Sequence, residues 1–325
     1  MDPSLVTAKI RAALGACALG RWPTPLELTA PLAAAAGLDA LWVKREDRSA
    51  LAYGGNKVRG LEFLIAGAPP GTVFVTLGGT GSTHCLATAV HARALSCGAV
   101  LAQFPQASTE ASRAVAAACE RAATGVVRAG SRLGLPLAVA RAWRMARRIG
   151  RARWIPGGGA HPRAVAGHLL AGLELASQSP SPPDAVVTPL GSGGTAAGLM
   201  LAFGALGWPT RVIAARVAPM IVANRWRVAA LSRGAMRLLA AHGIVLPRPL
   251  SFAPLVLDCL GQGYGYPTAA GEAARALAAA HSLALDPTYG AKAFAALASL
   301  PSRGFRRVVF WHTFAFPART PELSL

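Results

Sequence analysis

Residues 185–206 read AVVTPLGSGGTAAGLMLAFGAL. The first six residues form a short apolar run with β-branched valine and threonine, which predicts a buried strand. Consecutive glycines follow, and the apolar run from Gly194 onward predicts a buried helix. Although residues 185–210 carry no charge, Pro189, Pro209 and the glycines would interrupt a membrane-spanning helix. The stretch is therefore typical of a strand, a glycine-rich loop and a helix in an α/β protein.

Strand-like and helix-like segments alternate on both sides of this stretch. Short β-rich runs are predicted as strands at 41–44, 72–77, 99–103, 185–190, 211–217 and 307–311. Longer Ala- and Leu-rich runs are predicted as helices at 57–68, 83–96, 111–124, 132–148, 163–177, 194–206 and 269–281. This alternation predicts an α/β fold in which helices join parallel strands. The proline-bearing segment 177–183 is predicted to be a linker between two such halves.

The basic residues are numerous but dispersed. The 325-residue chain has 33 Lys and Arg against 14 Asp and Glu, a net charge of +19, and only four of the basic residues are lysines. A clustered excess of cations would indicate binding to nucleic acid or another polyanion. Because these arginines are spread along the chain, we interpret them as solvated helix faces and expect no specific nucleic-acid partner.

The cysteine spacing and the first residues favour a cytoplasmic protein. The five cysteines never fall two or three residues apart and no histidines cluster with them, so we expect neither a metal site nor a redox pair. The start, MDPSLVTAKIRAALG, lacks the basic region and cleavage site of an export signal. We therefore predict a cytoplasmic location and no membrane segment.

A lysine follows a glycine pair at the start of a predicted helix. Residues 54–57 read GGNK, and Lys57 is one of four lysines in a chain that otherwise uses arginine. The positive end of the helix dipole disfavours a second cation there and lowers the pKa of the amine. A neutral amine can attack an aldehyde, so Lys57 is a candidate nucleophile. The alternative is a lysine that is simply solvated at a helix start.

The loop at 191–195 is a candidate anion site. Its backbone N–H groups can converge on a phosphate, and the hydroxyls of Ser192 and Thr195 add donors at the same helix end. Residues 191–196 also satisfy a loose dinucleotide fingerprint, G-x-G-x-x-A, and Arg216 at the end of the next predicted strand would suit NADP. No Gly-Lys-Ser/Thr follows, which excludes a Walker loop. An NADP-dependent oxidoreductase is therefore an alternative at this point.

Two further regions place hydroxyl groups in glycine-containing turns. Residues 78–84 read GGTGSTH between a predicted strand and helix, where Ser82 would either cap the helix or face a ligand at the carboxyl end of the sheet. Residues 263–267 read GYGYP and residues 286–290 read DPTYG, and they carry three of the four tyrosines. A phenol in such a turn can donate a proton into a cleft or simply pack there.

Taken together and in order, these segments resemble the fold-type-II pyridoxal-phosphate enzymes, specifically the D-cysteine desulfhydrase and 1-aminocyclopropane-1-carboxylate deaminase family. The resemblance covers nearly the whole chain. It rests on PTPLE at 23–27, VKRED at 43–47, GNK at 55–57, IPGGG at 155–159, DPTY at 286–289, Lys292-Ala293 and His312-Thr313. It implies the tryptophan synthase beta-like fold, with two open, mostly parallel twisted sheets flanked by helices. It also implies a large domain (1–52 and 162–325) and a small domain (53–161).

The resemblance implies a cofactor, pyridoxal 5'-phosphate, and a role for each matching residue. Lys57 resembles the lysine that holds the cofactor as a Schiff base and then moves the α-proton. Tyr264 and Tyr289 resemble the pair that flanks the substrate, and Thr313 resembles the neutral partner of the pyridine nitrogen. The implied catalytic residues are Lys57, Ser82, Tyr264 and Tyr289. The implied cofactor-binding residues are Asn56, Lys57, Thr83, Gly191, Ser192, Gly193, Gly194, Thr195 and Thr313. The implied substrate-binding residues are Ser82, Thr83 and His84.

The family implies α,β-elimination on a small amino acid, which releases a keto acid and ammonia, and also sulfide when the substrate is D-cysteine. It also implies a homodimer. The sequence departs from the family pattern at Thr83, where asparagine is usual, and at Phe314-Ala315, where two glycines are usual. Gly290 stands where deaminases that open the cyclopropane ring carry an acid. These differences favour a substrate other than the cyclopropane amino acid, and they leave a cofactor-binding protein without turnover as an alternative.

Overall fold

The computed structural model of the chain describes residues 2–314, and these residues form two sheets flanked by helices. The strands are β1 (Leu26–Leu28), β2 (Ala40–Arg45), β3 (Thr72–Gly79), β4 (Gly98–Phe104), β5 (Gly125–Arg128), β6 (Arg151–Trp154), β7 (Ala185–Leu190), β8 (Arg211–Arg216), β9 (Leu255–Asp258) and β10 (Arg307–His312). The α-helices are α1 (Pro3–Leu14), α2 (Ala30–Ala35), α3 (Lys57–Leu64), α4 (Thr83–Ala94), α5 (Glu110–Ala122), α6 (Leu135–Ile149), α7 (Pro162–Gln178), α8 (Gly194–Leu206), α9 (Arg225–Ala240), α10 (Ala269–Ala280) and α11 (Gly290–Ala295).

The larger sheet has six strands in the order β1-β2-β10-β7-β8-β9. All neighbours in it are parallel except β1, which runs antiparallel to β2. Successive residues of a strand face opposite sides of a sheet. In β10, Val309 and Trp311 accordingly pack with α1, α7, α8 and α9, whereas Val308 and Phe310 pack with α2, α10 and α11. Both faces of this sheet are therefore covered, as parallel sheets require.

The smaller sheet has four parallel strands in the order β5-β4-β3-β6. Phe74 of β3 and Leu101 of β4 pack against α3, α4 and α5 on one face. Val75 and Val100 pack against α6 on the other face. All four strands lie between residues 72 and 154, within the range that the sequence predicts for the small domain.

The sequence prediction of two mostly parallel sheets flanked by helices is confirmed, but the predicted linker is wrong. Ser177 and Gln178 are the last residues of α7, and the segment after them leads directly into β7 of the larger sheet. Because α7 and α8 pack in one apolar cluster, residues 177–183 do not separate two halves of the chain. A helix-to-strand turn rich in serine and proline has the composition of a linker.

The uncharged stretch at 185–210 forms β7 and α8, as the sequence predicts. The helix ends at Gly207, which has a left-handed backbone with φ of 67°. Across residues 2–314, no helix is both long enough and apolar enough to cross a membrane.

Candidate active site

A cavity of about 490 Å³ lies at the carboxyl ends of strands from both sheets. The ends of β3 and β4 contribute residues 77–79 and Phe104, while the larger sheet contributes Pro189 of β7 and Thr313 directly after β10. This is where open α/β sheets bind ligands, and the volume is typical of a small-molecule site. Every residue that the sequence predicts for the site lines this cavity: Asn56, Lys57, Ser82, Thr83, His84, Gly191, Ser192, Gly193, Gly194, Thr195, Tyr264, Tyr289 and Thr313.

Lys57 is the first residue of α3 and faces the cavity. Its Nζ donates a hydrogen bond to Asn56 Oδ1 at 3.3 Å. Burial lowers the pKa of the amine to about 8, and the carboxylate of Asp286 opposes this change. The direction agrees with the sequence prediction, but burial is the cause rather than the helix dipole.

The loop before Lys57 is held against the other parts of the site. Gly55 has φ of 126°, and a Cβ there would lie 3.0 Å from the carbonyl oxygen of Thr313, so glycine is required. Asn56 donates its backbone N–H to that same oxygen at 2.9 Å. Its side-chain Nδ2 donates to Thr195 Oγ1 at 2.8 Å. Asn56 therefore connects the lysine loop to β10 and to the glycine loop.

The glycine loop forms the start of α8. Gly193 is the N-terminal cap of this helix, with φ of 92°, a conformation that side chains disfavour. The first N–H groups of a helix have no acceptor within the helix, so this end offers donors and a positive partial charge to the cavity. Ser192 Oγ instead donates to the carbonyl oxygen of Gly158 at 3.0 Å, so this hydroxyl is already engaged. The backbone, more than the predicted Ser192 hydroxyl, makes this loop a candidate anion site.

The segment at 82–84 combines a helix cap with a neutral histidine. Ser82 caps α4 by accepting a hydrogen bond from the backbone N–H of Cys85 at 3.4 Å. His84 is buried and its Nε2 is hydrogen-bonded to Thr76 Oγ1 at 3.0 Å. Burial and the nearby positive charge of Lys57 lower the pKa of His84 to about 3. The imidazole is therefore neutral, and a carboxylate here would be held by the N–H groups at the start of α4.

The hydroxyls of Tyr264 and Tyr289 are hydrogen-bonded to each other. Their rings meet edge to face, with centroids 6.1 Å apart and an interplanar angle of 71°. Burial raises the pKa of both phenols, so both keep their protons at neutral pH. The pair is a candidate proton donor into the cavity.

Two residues that the sequence analysis did not assign also shape the site. Asp286 accepts hydrogen bonds from the backbone N–H groups of Tyr289 at 2.7 Å and Gly290 at 2.8 Å, and burial raises its pKa to about 6. Arg227 lines the cavity and donates from Nε to the carbonyl oxygen of Ser192 at 3.3 Å. The Asp-x-x-Tyr spacing was visible in the sequence, whereas Arg227 lies on α9, a helix that was not predicted.

Comparison with known proteins gives one consistent result. A family model described as pyridoxal-phosphate dependent enzyme matches residues 18–313. The chain is 34% identical over 290 residues to nocardicin C-9' epimerase of Nocardia uniformis subsp. tsuyamanensis, covering 83% of this chain and 85% of the relative. It is 31% identical over 323 residues to D-cysteine desulfhydrase of Salmonella newport, covering 91% and 92%. The crystal structure of an ACC deaminase homologue matches with a TM-score of 0.81 and 26% identity, covering 94% of each chain.

The chain therefore belongs to the pyridoxal-phosphate dependent enzymes. Within this class it is a member of the family of the ACC deaminases and D-cysteine desulfhydrases, which confirms the resemblance and the cofactor predicted from the sequence. Family membership removes the NADP alternative. Consistent with this, Arg216 forms an ion pair with Asp258 at 2.5 Å and is not among the described residues that line the cavity.

The residues of the cavity fit pyridoxal phosphate. A lysine amine with a lowered pKa, a helix N-terminus with free N–H groups and the buried residue Thr313 all face the same space. None of the described residues that line it is Asp or Glu, so an anionic cofactor meets no carboxylate there.

Proposed function

We propose that the protein is a lyase that catalyses α,β-elimination on an amino acid, releasing a keto acid, ammonia and the β-substituent. The observation that carries this proposal is the pair of protonated phenols, Tyr264 and Tyr289, in the same cavity as the low-pKa amine of Lys57. Elimination needs a base for the α-proton and an acid for the departing group, and these residues supply both.

The chain's residues divide the work of holding the cofactor and the substrate. The N–H groups of the glycine loop would hold the phosphate, the amine of Lys57 would hold the cofactor at its aldehyde carbon, and Thr313 would offer a hydroxyl to the pyridine nitrogen. The start of α4, at 82–84, binds the substrate carboxylate. When bound, pyridoxal phosphate supplies a conjugated electron sink for the bonds at the substrate's α-carbon.

Proton transfer is carried by Lys57 and the two phenols. Once the substrate's own amine has taken its place, the amine of Lys57, whose pKa is lowered by burial to about 8, is free to accept the α-proton. As the bond from the β-carbon to its substituent breaks, the substituent takes the electron pair and receives a proton from the phenol pair. The released enamine is hydrolysed in water to the keto acid and ammonia.

The environment of Gly290 disfavours ring opening of a cyclopropane substrate. A Cβ at this position would lie 2.9 Å from Asp286 Oδ2, and the Gly290 N–H is hydrogen-bonded to the same oxygen. A side chain at 290 would therefore require the carboxylate of Asp286, which accepts hydrogen bonds from the turn that carries Tyr289, to shift. This supports a substrate with a β-leaving group.

The first experiment measures cofactor attachment and turnover separately. Borohydride reduction of the holoenzyme should fix pyridoxal phosphate permanently on the peptide that carries Lys57, by reducing the bond to the amine, and Lys57→Ala should not be labelled. D-cysteine, L-cysteine and β-chloroalanine are then tested for keto acid release.

Tyr289→Phe should lower kcat about 100-fold because one proton donor is lost, while labelling of Lys57 continues. The control Tyr266→Phe alters a tyrosine that is 47% exposed and is outside the cavity lining, and it should leave kcat unchanged. Labelling of Lys57 without keto acid from any β-substituted amino acid would contradict the lyase proposal.

A second candidate, inversion at the α-carbon, is favoured by the 34% identity to an epimerase. Inversion requires proton removal from one face of the α-carbon and proton delivery to the other, and Lys57 and a hydroxyl of the cavity could share these steps. Incubation in D₂O separates the two candidates. An epimerase incorporates deuterium at the α-carbon and interconverts enantiomers without keto acid, whereas a lyase releases keto acid and ammonia. A cofactor-binding protein without turnover does neither.

A further inference from the structure

Four apolar side chains of the cavity lining are half-buried or exposed, and we call this group the apolar vestibule: Phe104, Leu135, Ile221 and Val222. Phe104 ends β4 of the smaller sheet and Leu135 begins α6, which packs on that sheet, while Ile221 and Val222 lie in the segment after β8 of the larger sheet. Ile221 is 85% exposed and Val222 is 39% exposed. Apolar side chains that line a cavity and face water indicate contact with an apolar ligand group.

One cation of the cavity has no task in the proposed reaction. Lys57, Arg132 and Arg227 are the Lys and Arg side chains among the described residues of the lining, which include no Asp or Glu. Lys57 is assigned to the cofactor, and Arg227 is hydrogen-bonded to the backbone of Ser192 in the glycine loop. Arg132 forms no ion pair within residues 2–314, and its Cζ lies over the ring of Phe104, 5.9 Å from the centroid.

Arg132 is exposed beside the vestibule, and no side-chain hydrogen bond or ion pair within residues 2–314 occupies its N–H groups. A guanidinium is a planar fork whose paired N–H groups match the two oxygens of a carboxylate. A guanidinium that lies over an aromatic ring keeps its N–H donors free for such a contact. The vestibule therefore offers an apolar surface that ends in a carboxylate-binding group.

We propose that the substrate is a β-substituted alanine with a large leaving group, namely a cysteine S-conjugate that has an aromatic body and a terminal carboxylate. The aromatic body occupies the vestibule, and Arg132 binds the terminal carboxylate. This proposal rests on the lyase function above and names the substrate class for the same site. Arg132 is then a specificity-determining residue.

The reaction balances for such a substrate. The α-carbon loses its proton, the bond from the β-carbon to sulfur breaks, and sulfur keeps the electron pair and takes a proton to become a thiol. The remaining enamine adds one water molecule. The products are the aryl thiol, pyruvate and ammonia, and no oxidant or reductant is consumed.

The test compares S-(4-carboxyphenyl)-cysteine with S-phenyl-cysteine on the holoenzyme, each in D and L form. We expect kcat/KM to be about tenfold higher for the carboxylated compound, since one charge-assisted bidentate contact is added. Arg132→Gln should bring the ratio of the two kcat/KM values close to one, and Arg132→Lys should restore only part of it. Arg121→Gln removes an exposed arginine outside the cavity lining and should leave the ratio unchanged. Added salt should lower the ratio of the wild type.

Binding without turnover distinguishes failure of this proposal from failure of the lyase proposal. Calorimetry with 4-carboxyphenylacetate and phenylacetate, which lack the reactive amine, should show the same preference and the same loss in Arg132→Gln. Equal affinity for the two acids, or a preference that survives Arg132→Gln, would overturn the substrate class. If the Arg132-dependent preference holds but no thiol is released from either conjugate, the lyase proposal alone fails.

Discussion

The amine of Lys57 is governed by two opposing influences. Burial favours the neutral form, whereas the buried carboxylate of Asp286 favours the charged form, and the resulting pKa is about 8. Attack on an aldehyde requires the neutral amine. We therefore expect the rate at which the apoenzyme is labelled by pyridoxal phosphate on Lys57 to rise with pH, with a midpoint at about 8 and a plateau above it. Borohydride trapping at short times, followed by quantification of the Lys57 peptide, measures this rate.

Replacing Asp286 tests the second influence directly. Asp286→Asn removes the charge that raises the pKa of Lys57 but keeps an oxygen that can accept backbone hydrogen bonds, so the midpoint should move to lower pH. Asp258→Asn is a suitable control because Asp258 is an exposed acid paired with Arg216. A midpoint that stays in place or rises in Asp286→Asn would show that Asp286 does not act on the amine.

At the level of secondary structure, the sequence predicts best the elements whose residues are buried on all sides. β7 and α8 have the predicted bounds, because an uninterrupted apolar run of strand length and one of helix length leave little ambiguity. β5 and β6 were missed, since each has four residues, contains arginine and lies at an edge of the smaller sheet. Edge strands are short and charged because they need not bury both faces.

The site could be predicted because the strands and helices around it could be predicted. Its loops directly follow predicted strands or precede predicted helices, and the carboxyl ends of parallel strands meet at one edge. The contacts made across the fold were not predictable. Ser192 bonds to Gly158, and Arg132 and Arg227 reach the cavity from segments that have no motif of their own. These contacts depend on how distant segments, including α6 and α9, pack in the folded chain. That packing cannot be read from the local sequence.

Lys292 of α11 supports the turn that carries Tyr264. It is only 1% exposed, and its Nζ donates to the carbonyl oxygens of Leu260 at 2.7 Å and Gly263 at 3.3 Å. Because α11 begins directly after Tyr289, this amine links the helix that follows one phenol to the turn that carries the other. Lys292→Met keeps the length of the side chain but removes the donors, so we expect kcat to fall at least tenfold with a smaller change in KM.

The same variant should alter a property that a purely structural residue would leave unchanged. If Lys292 positions Tyr264, then in Lys292→Met the further replacement Tyr264→Phe should cost less activity than it does in the wild type. Lys9→Met, at an exposed position of α1, is the control and should change neither kcat nor KM. Full additivity of Lys292→Met and Tyr264→Phe would show that the amine does not act through this phenol.

For the molecule as a whole, a buried network of charges fastens the helix of Lys57 to the larger sheet. Arg59 of α3 forms ion pairs with Glu46, which follows β2, and with Glu174 of α7, both at 2.8 Å. Lys44 of β2 is fully buried and pairs with Glu174 at 2.5 Å. Burial would raise the pKa of Glu174, but the hydrogen bonds and charges of Arg59 and Lys44 outweigh it and lower the pKa. The position of Lys57 therefore depends on ion pairs that connect three elements.

Removing Arg59 should destabilise the whole fold, because the fully buried carboxylate of Glu46 and the largely buried one of Glu174 would each lose a charged partner. We expect Arg59→Met to lower the free energy of unfolding by about 3–5 kcal/mol at pH 7, measured by chemical denaturation. The control Arg48→Met breaks a half-exposed pair with Glu27 and should cost less than about 1 kcal/mol. Since the folded-state pKa of Glu174 is lowered, its contribution is complete above the unfolded value of 4.5 and is lost as the pH falls through the folded pKa. The difference in free energy of unfolding between wild type and Arg59→Met should therefore become smaller below pH 4.5. If that difference stays constant on acidification, the loss of stability comes from packing rather than from charge.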